Sequence, residues 1–200
     1  MQLILFYINK KNANDYVEPI YIDIRYTLGS VVERTFIIQK IEDTLIEYYK
    51  MCDLVAGVST AGIPFAAIVA NNLCLPMCYV RQKSKANGMG KRIEGRINKH
   101  QKTVIIEDVV YSGSNVLNVF SALRKEELDI LGVISIFSYD IDDCIRDFKD
   151  NMIHHQSLTN FDEVISLGFE KGIINNEEYK QLLHYKENLS KQALYSNVTW

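Results

Sequence analysis

Four short runs that are almost entirely apolar, with no regular alternation of polar residues, constrain the fold of this chain most strongly. They are Leu54–Val58, Met77–Val80, Thr103–Ile106 and Leu131–Phe137. Strands of this kind are buried on both faces, which is typical of a parallel sheet. Segments with helical spacing, including Thr35–Lys50 and Asn115–Arg124, precede or separate them. The sequence therefore predicts an α/β fold: a doubly wound, mostly parallel sheet with helices on both faces and ligands at the carboxyl ends of its strands.

The two ends of the chain are simpler. Residues 20–24 predict a short strand, and the tail predicts a helix that Asn175 or Asn176 caps. We expect one domain over residues 1–200, in which residues 1–30 form a short N-terminal part and residues 175–200 a C-terminal helix and tail.

Composition excludes several classes of partner. The 200 residues carry a formal charge of -3, so a protein-wide basic field for nucleic acid is not expected. No apolar stretch approaches the roughly 18 residues of a membrane span. Three of the four cysteines lie in or beside apolar runs, which favours buried, reduced thiols in a cytoplasmic protein. His154 and His155 predict a surface pair that points apart, and no protein residue is predicted to ligate a metal.

The segment Gln82–Gln101 differs sharply from the rest of the chain. It is rich in glycine and positive charge and has almost no apolar side chain to anchor it. Long segments of this kind in compact domains are often active-site lids. We therefore expect a mobile glycine-rich, basic lid loop that contains a small hairpin.

The strongest chemical signal is the segment Thr103–Asn115, TVIIEDVVYSGSN. A buried strand delivers Glu107 and Asp108 to its end, and a turn of small residues then leads into a helix. Backbone N–H groups of such a turn, with the positive end of the helix dipole, suit a phosphate. The two carboxyl groups suit sugar hydroxyls. A capped helix with solvated acids is the alternative from the residues alone.

This segment resembles the signature of type I phosphoribosyltransferases, in which the acids hold the ribose 2′- and 3′-hydroxyls and the loop holds the 5′-phosphate. The resemblance implies that phosphoribosyl pyrophosphate contacts Glu107, Asp108, Val109, Val110, Tyr111, Ser112, Gly113, Ser114 and Asn115. The upstream segment GVSTAGIP resembles the pyrophosphate loop of the same family, although alone it indicates only a strand, a turn and a helix. That resemblance adds Ser59, Thr60, Ala61 and Gly62 to the binding residues.

A third segment, YVRQKSKANGMGKRIEGRI, is similar to the lid of orotate phosphoribosyltransferases. Arg81, Lys85 and Asn87 occupy the matching places, where positive charge would neutralise the leaving pyrophosphate. Three further segments are also similar to that family: PIYIDIRYTL, IFSY and SLTNFDEVISLGFEKGIINNEE. The resemblance implies Mg²⁺ as cofactor, Lys85 and Asp108 as catalytic residues, a homodimer, and transfer of ribose 5-phosphate from phosphoribosyl pyrophosphate to orotate.

The chain departs from that family at several positions. Asn87 stands where the family has histidine, Gln82 where it often has lysine, and Tyr111 where a small serine or threonine contacts the base. The N-terminal stretch that helps to hold orotate in the family is not recognisable. These departures leave two alternatives open, namely a phosphoribosyltransferase for another base and a regulator that senses phosphoribosyl pyrophosphate without turnover.

Overall fold

The computed structural model describes residues 5–11, 17–82 and 92–196. Its strands are β1 (Leu5–Lys11), β2 (Val17–Asp23), β3 (Leu54–Val58), β4 (Met77–Val80), β5 (Ile93–Glu94), β6 (Lys102–Val110), β7 (Asp129–Ser138) and β8 (His155–Asn160). Its helices are α1 (Val31–Tyr48), α2 (Gly62–Asn72), α3 (Ser114–Lys125), α4 (Asp142–Asp150), α5 (Phe161–Glu170) and α6 (Asn176–Ser196). A 3₁₀ helix, Ile24–Gly29, joins β2 to α1.

The central sheet has six strands in the order β5-β4-β3-β6-β7-β8. All neighbouring strands are parallel except β5, which pairs antiparallel with β4 at the edge. Strand β3 is buried along its whole length, as expected for a strand that is covered on both faces. The predicted fold class is confirmed.

The sheet reverses its winding direction between β3 and β6. The chain moves one way from β3 through α2 to β4 and the other way from β6 through α3 to β7. Because such crossovers are right-handed, α2 and α3 lie on opposite faces of the sheet. The carboxyl ends of β3 and β6 therefore flank the crevice where α/β sheets bind ligands.

A separate two-stranded antiparallel sheet, β1-β2, stands at the N-terminus. It is anchored by Ile20, Ile22 and Ile24, whose side chains are at most 6% exposed. Strand β2 contacts α6, and the 3₁₀ helix contacts β6. The N-terminal segment thus passes over the carboxyl end of a central strand, beside the predicted ligand crevice.

Most predicted elements are confirmed. Strand β5 pairs with β4, whereas the small hairpin predicted within Gln82–Gln101 stays a prediction, because residues 83–91 lie outside the described residues. The tail helix is capped as predicted, because the Asn175 side chain accepts from the N–H groups of Glu177 and Glu178. Strand β6 differs from the prediction: it continues to Val110, so the two acids lie within the strand and not after it. The sequence analysis predicted no element at β1, α4, β8 or α5.

Two smaller predictions are wrong. His155 is half-buried rather than on the surface: its Nε2 lies 2.8 Å from the Ser135 Oγ, although His154 is exposed as expected. Cys74 is exposed, whereas Cys78 and Cys144 are buried and Cys52 is half-buried, and all four thiols are free. Cys74 lies in the turn after α2 with a φ of 53°, where its side chain has left the apolar face of the helix.

Candidate active site

A cleft of about 510 Å³ opens at the carboxyl ends of β3 and β6. Its walls bring together eight of the predicted binding residues: Ser59, Thr60, Ala61, Glu107, Asp108, Val109, Tyr111 and Asn115. Gly62, Ser112, Gly113 and Ser114 belong to the same two loops but are not part of the cleft wall. The crevice at the winding reversal is therefore the candidate active site.

The acid pair on β6 has two unlike members. Glu107 is only 3% exposed, whereas Asp108 is half-buried and forms part of the cleft wall. Burial, with a hydrogen bond to Asp108 and its negative charge, raises the pKa of Glu107 to about 10. Its Oε1 accepts from the Asp108 N–H at 3.2 Å, and its Oε2 has no partner within the described ranges. Glu107 is therefore protonated at neutral pH and can donate a hydrogen bond.

The loop between β6 and α3 depends on Gly113. This residue has a φ of 75°, which glycine adopts without the cost of a Cβ atom. An added Cβ would lie 2.7 Å from the Cys144 sulfur and 2.8 Å from the Phe148 ring. Gly113 is the N-cap of α3 and supplies no side chain to the first N–H groups of that helix. The exposed N-terminus of α3 is consequently available to an anion.

The loop between β3 and α2 has the same character. Helix α2 begins at Gly62, and its N-cap Ala61 provides no side-chain hydrogen bond. A Cβ atom on Gly62 would lie 2.4 Å from the Ile106 carbonyl oxygen, so only glycine allows α2 to start this close to β6. The positive ends of α2 and α3 thus lie on either side of the acid pair.

The predicted lid residues are only partly placed. Arg81 follows β4, but its Nε lies 3.3 Å from Glu94 Oε1, and Arg81 is not part of the cleft wall. The Arg92 Nε donates to the Arg81 carbonyl oxygen at 3.0 Å, next to the paired strands β4 and β5. Lys85 and Asn87 lie outside the described residues. Val110, another predicted contact, is 2% exposed and packs in the core.

An aromatic group forms another wall of the cleft. The Tyr111 side chain is 43% exposed and meets the Tyr139 ring edge to face, with the ring centroids 5.0 Å apart. Tyr139 in turn packs on Phe137 and Phe161. Flat apolar surface of this kind beside the carboxyl pair suits a planar ring.

Sequence reasoning assigned no role to several residues of the cleft wall, namely Tyr21, Ile22, Asp23, Ile24, Arg25, Tyr139 and Tyr185. Six of these seven lie in PIYIDIRYTL and IFSY, the segments that are similar to orotate phosphoribosyltransferases. The similarity drew attention to these segments but gave none of the six residues a function. Tyr185 comes from α6, more than forty positions after Tyr139 in the chain, and no local pattern points to it.

The described ranges contain no group of three or more His, Cys, Asp or Glu side chains that could hold a metal ion by themselves. Over the same residues, no helix has the length and apolar character needed to cross a membrane.

Comparison with known proteins defines the class first. A family model described as a phosphoribosyl transferase domain matches residues 31–156. Among solved structures, UMP synthase from Leishmania donovani superposes with a TM-score of 0.75 at 20% identity, over 92% of this chain and 39% of that one. Orotate phosphoribosyltransferase from Aeropyrum pernix gives 0.70 at 20% identity, over 86% and 94% of the two chains. At 20% sequence identity, these structural similarities show the fold alone.

Proteins with similar sequences show which group within the phosphoribosyltransferases the chain belongs to. The orotate phosphoribosyltransferase of Bacillus subtilis is 39% identical over 88% of this chain and 82% of its own length. That of Streptococcus pneumoniae is 38% identical over 88% and 84%. The chain therefore belongs to the phosphoribosyltransferase family and, within it, to the orotate phosphoribosyltransferases.

Proposed function

We propose that this chain transfers ribose 5-phosphate from phosphoribosyl pyrophosphate to orotate and releases orotidine 5′-monophosphate and pyrophosphate. The observation that carries the proposal is the convergence of two uncapped helix N-termini on one carboxyl pair. Phosphoribosyl pyrophosphate carries a phosphate at one end of a ribose and a diphosphate at the other. Two anion sites on either side of a sugar-binding pair match that arrangement.

The acid pair binds the sugar in this proposal. Asp108 accepts hydrogen bonds from the ribose hydroxyls, and Glu107, which also lines the cleft, is the second carboxyl group of the proposed sugar site. These contacts fix the ring while the bond to pyrophosphate breaks through an oxocarbenium-like state. The pair therefore positions the sugar, and the Asp108 carboxylate stabilises positive charge that develops on it.

The two loops bind the phosphates. The turn Ser112–Asn115 receives the 5′-phosphate, and the turn Ser59–Gly62 receives the diphosphate. Hydroxyls of Ser112 and Ser114 lie 3.0 Å apart and provide further hydrogen-bonding groups at the first loop. Arg81, Lys85 and Asn87 are proposed to meet the leaving pyrophosphate when the lid closes, a role that rests on the family resemblance.

Mg²⁺ fits this cleft as a substrate-bound ion. Asp108 offers one carboxylate at the cleft wall, and no described cluster of three ligands competes for the ion. Mg²⁺ commonly binds through one or two carboxylates and substrate phosphate oxygens and keeps several waters. When bound, it neutralises charge on the diphosphate leaving group.

The proposal also includes a homodimer and a cytoplasmic location. Exposed apolar residues cluster at the start of α1 and just before it: Tyr26, Val31, Val32 and Phe36. Exposed apolar residues that lie close together in the sequence suit a protein–protein interface. Light scattering during size-exclusion chromatography tests the dimer, and a monomer at micromolar concentration would contradict it.

A turnover assay tests the function directly. Purified protein is incubated with phosphoribosyl pyrophosphate, Mg²⁺ and, separately, orotate, uracil, adenine or hypoxanthine. Chromatography then identifies the nucleotide formed. We expect orotidine 5′-monophosphate as the main product and no product without Mg²⁺. Formation of another nucleotide in its place would refute the choice of orotate while leaving the transferase class intact.

One observation favours transfer to a different base as the second candidate. Tyr111 projects from the phosphate loop into the cleft, where the family resemblance predicts a small residue. Its ring narrows the space left for the base. The base panel separates this candidate from orotate transfer.

A further inference from the structure

The turn Ser112–Asn115, the proposed 5′-phosphate loop, packs on the body of the protein at Gly113. This glycine is buried, whereas its three neighbours in the turn are exposed. The Cys144 sulfur and the Phe148 ring fill the space that a side chain would take there, because they lie 2.7 Å and 2.8 Å from the position of an added Cβ atom. Helix α4, which carries both side chains, is therefore the surface that supports the loop.

Helix α4 turns its apolar face toward this loop. Cys144 and Phe148 are four positions apart, the spacing that places two side chains one above the other on a helix. Their exposed fractions are 3% and 4%, and most other residues of the helix are charged. Burial raises the pKa of Cys144 to about 12, so its thiol stays neutral and serves as a packing group.

A second ring packs on Phe148. The imidazole of His155, on β8, meets it edge to face, with the ring centroids 5.3 Å apart. The His155 Nε2 lies 2.8 Å from the Ser135 Oγ on the neighbouring strand β7, and this contact fixes the orientation of the imidazole. Burial lowers the pKa of His155, with the charge of Asp140 acting in the opposite direction. The imidazole is therefore uncharged at neutral pH, which suits its contact with an apolar ring.

We infer that Phe148 is a positioning residue for the 5′-phosphate loop and that His155 holds its ring in place, an inference that rests on the proposed function. A loop that binds phosphate through backbone N–H groups gains affinity when those groups are already arranged before the ligand arrives. Phe148 is not part of the described cleft wall, so it acts on the substrate through Gly113 and the residues beside it.

The two proposed phosphate sites have separate supports. The turn Ser59–Gly62, proposed to bind the diphosphate, packs on β6, where a Cβ atom on Gly62 would lie 2.4 Å from the Ile106 carbonyl oxygen. The 5′-phosphate loop packs instead on α4. Loss of the Phe148 ring should therefore disturb the 5′-phosphate site and leave the diphosphate site intact.

The test uses two fragments of the proposed substrate, ribose 5-phosphate and pyrophosphate. Calorimetry in the presence of Mg²⁺ measures their dissociation constants for wild type, Phe148→Leu and His155→Gln. We expect Phe148→Leu to weaken ribose 5-phosphate by at least about tenfold and pyrophosphate by less than about twofold. His155→Gln is the milder variant, because it removes the imidazole but keeps a hydrogen-bonding group for Ser135. It should weaken ribose 5-phosphate by at least about threefold and leave pyrophosphate within about twofold.

Phe120→Leu is the matched control. Phe120 is also buried, at 7% exposure, and lies in the second half of α3, about 9 Å along the helix from its first residue. Thermal unfolding should show a similar loss of stability in Phe120→Leu and Phe148→Leu, whereas both affinities should stay unchanged in Phe120→Leu.

The inference is overturned if Phe148→Leu weakens both ligands equally or neither of them, or if Phe120→Leu gives the same selective loss. If Phe148→Leu does not fold, the same criteria apply to His155→Gln. A wild type that binds neither ribose 5-phosphate nor pyrophosphate would instead refute the proposed phosphate sites, and this inference with them.

Discussion

The buried proton on Glu107 predicts a stability change that depends on pH. The pKa of Glu107 rises from 4.5 to about 10 on folding, mainly because the carboxyl group is buried. Between these two values the folded chain keeps a proton that the unfolded chain has lost. The free energy of unfolding contributed by Glu107 therefore falls as the pH rises through this window. Glu107→Gln removes the titration and keeps the shape of the side chain.

The expected magnitude follows from the linkage relation. Each pH unit inside the window changes the free energy of unfolding by at most about 1.4 kcal/mol. From pH 5.5 to 7.5 the stability of Glu107→Gln should rise relative to wild type by up to about 2.7 kcal/mol. The glutamine can still accept from the Asp108 N–H, so its own packing cost should be small and should not depend on pH.

Urea unfolding of both proteins at pH 5.5, 6.5 and 7.5 measures this difference without ligand. Glu126→Gln is the control, because Glu126 is exposed at the end of α3, and its stability should stay within about 0.5 kcal/mol of wild type. A Glu107→Gln difference that does not change with pH would refute the buried proton. Initial rates on the same samples should show lower turnover, since amide and acid donate differently to the ribose.

Three further predictions concern the loops and the acid pair. Asp108→Asn should weaken phosphoribosyl pyrophosphate binding or turnover at least tenfold, about 1.4 kcal/mol, and calorimetry that shows no change would exclude its role. Gly113→Ala should destabilise the fold by about 2 kcal/mol or more in thermal unfolding, because a Cβ atom is strained at this φ and meets Cys144 and Phe148. Tyr111→Ser should raise kcat/KM for orotate if the ring restricts the base, and a fall would instead indicate a direct contact.

The central strands could be predicted because burial on both faces leaves a nearly continuous apolar run in the sequence. No such signal marks β8, whose residues HQSLTN are half-buried at the edge of the sheet and mostly polar. Helix α4 was missed for a related reason. Its sequence DDCIRDFKD offers few apolar side chains, and Cys144 and Phe148 carry most of its packing.

One part of the candidate site could also be predicted from the sequence, and another part could not. The loops after β3 and β6 are local: strand, glycine turn and helix follow one another, so their spacing identifies them. The base side is assembled from β2, the 3₁₀ helix, β7 and α6, which are far apart in the chain. Only the sheet topology and the packing of the N-terminal hairpin bring Arg25, Tyr139 and Tyr185 together. No spacing rule in the sequence records that proximity.

The charged groups of the cleft balance one another. Asp23 binds Arg25 directly, which leaves Asp108 as the carboxylate turned toward a substrate that is itself an anion. Protonation of Glu107 removes one negative charge from the same wall. The two helix N-termini supply partial positive charge at either end, and Mg²⁺ would bring the rest together with the diphosphate. In the proposed function, a second ionised carboxylate at position 107 would oppose both anionic groups of the substrate. We therefore expect the burial of Glu107, which costs stability at neutral pH, to favour substrate binding.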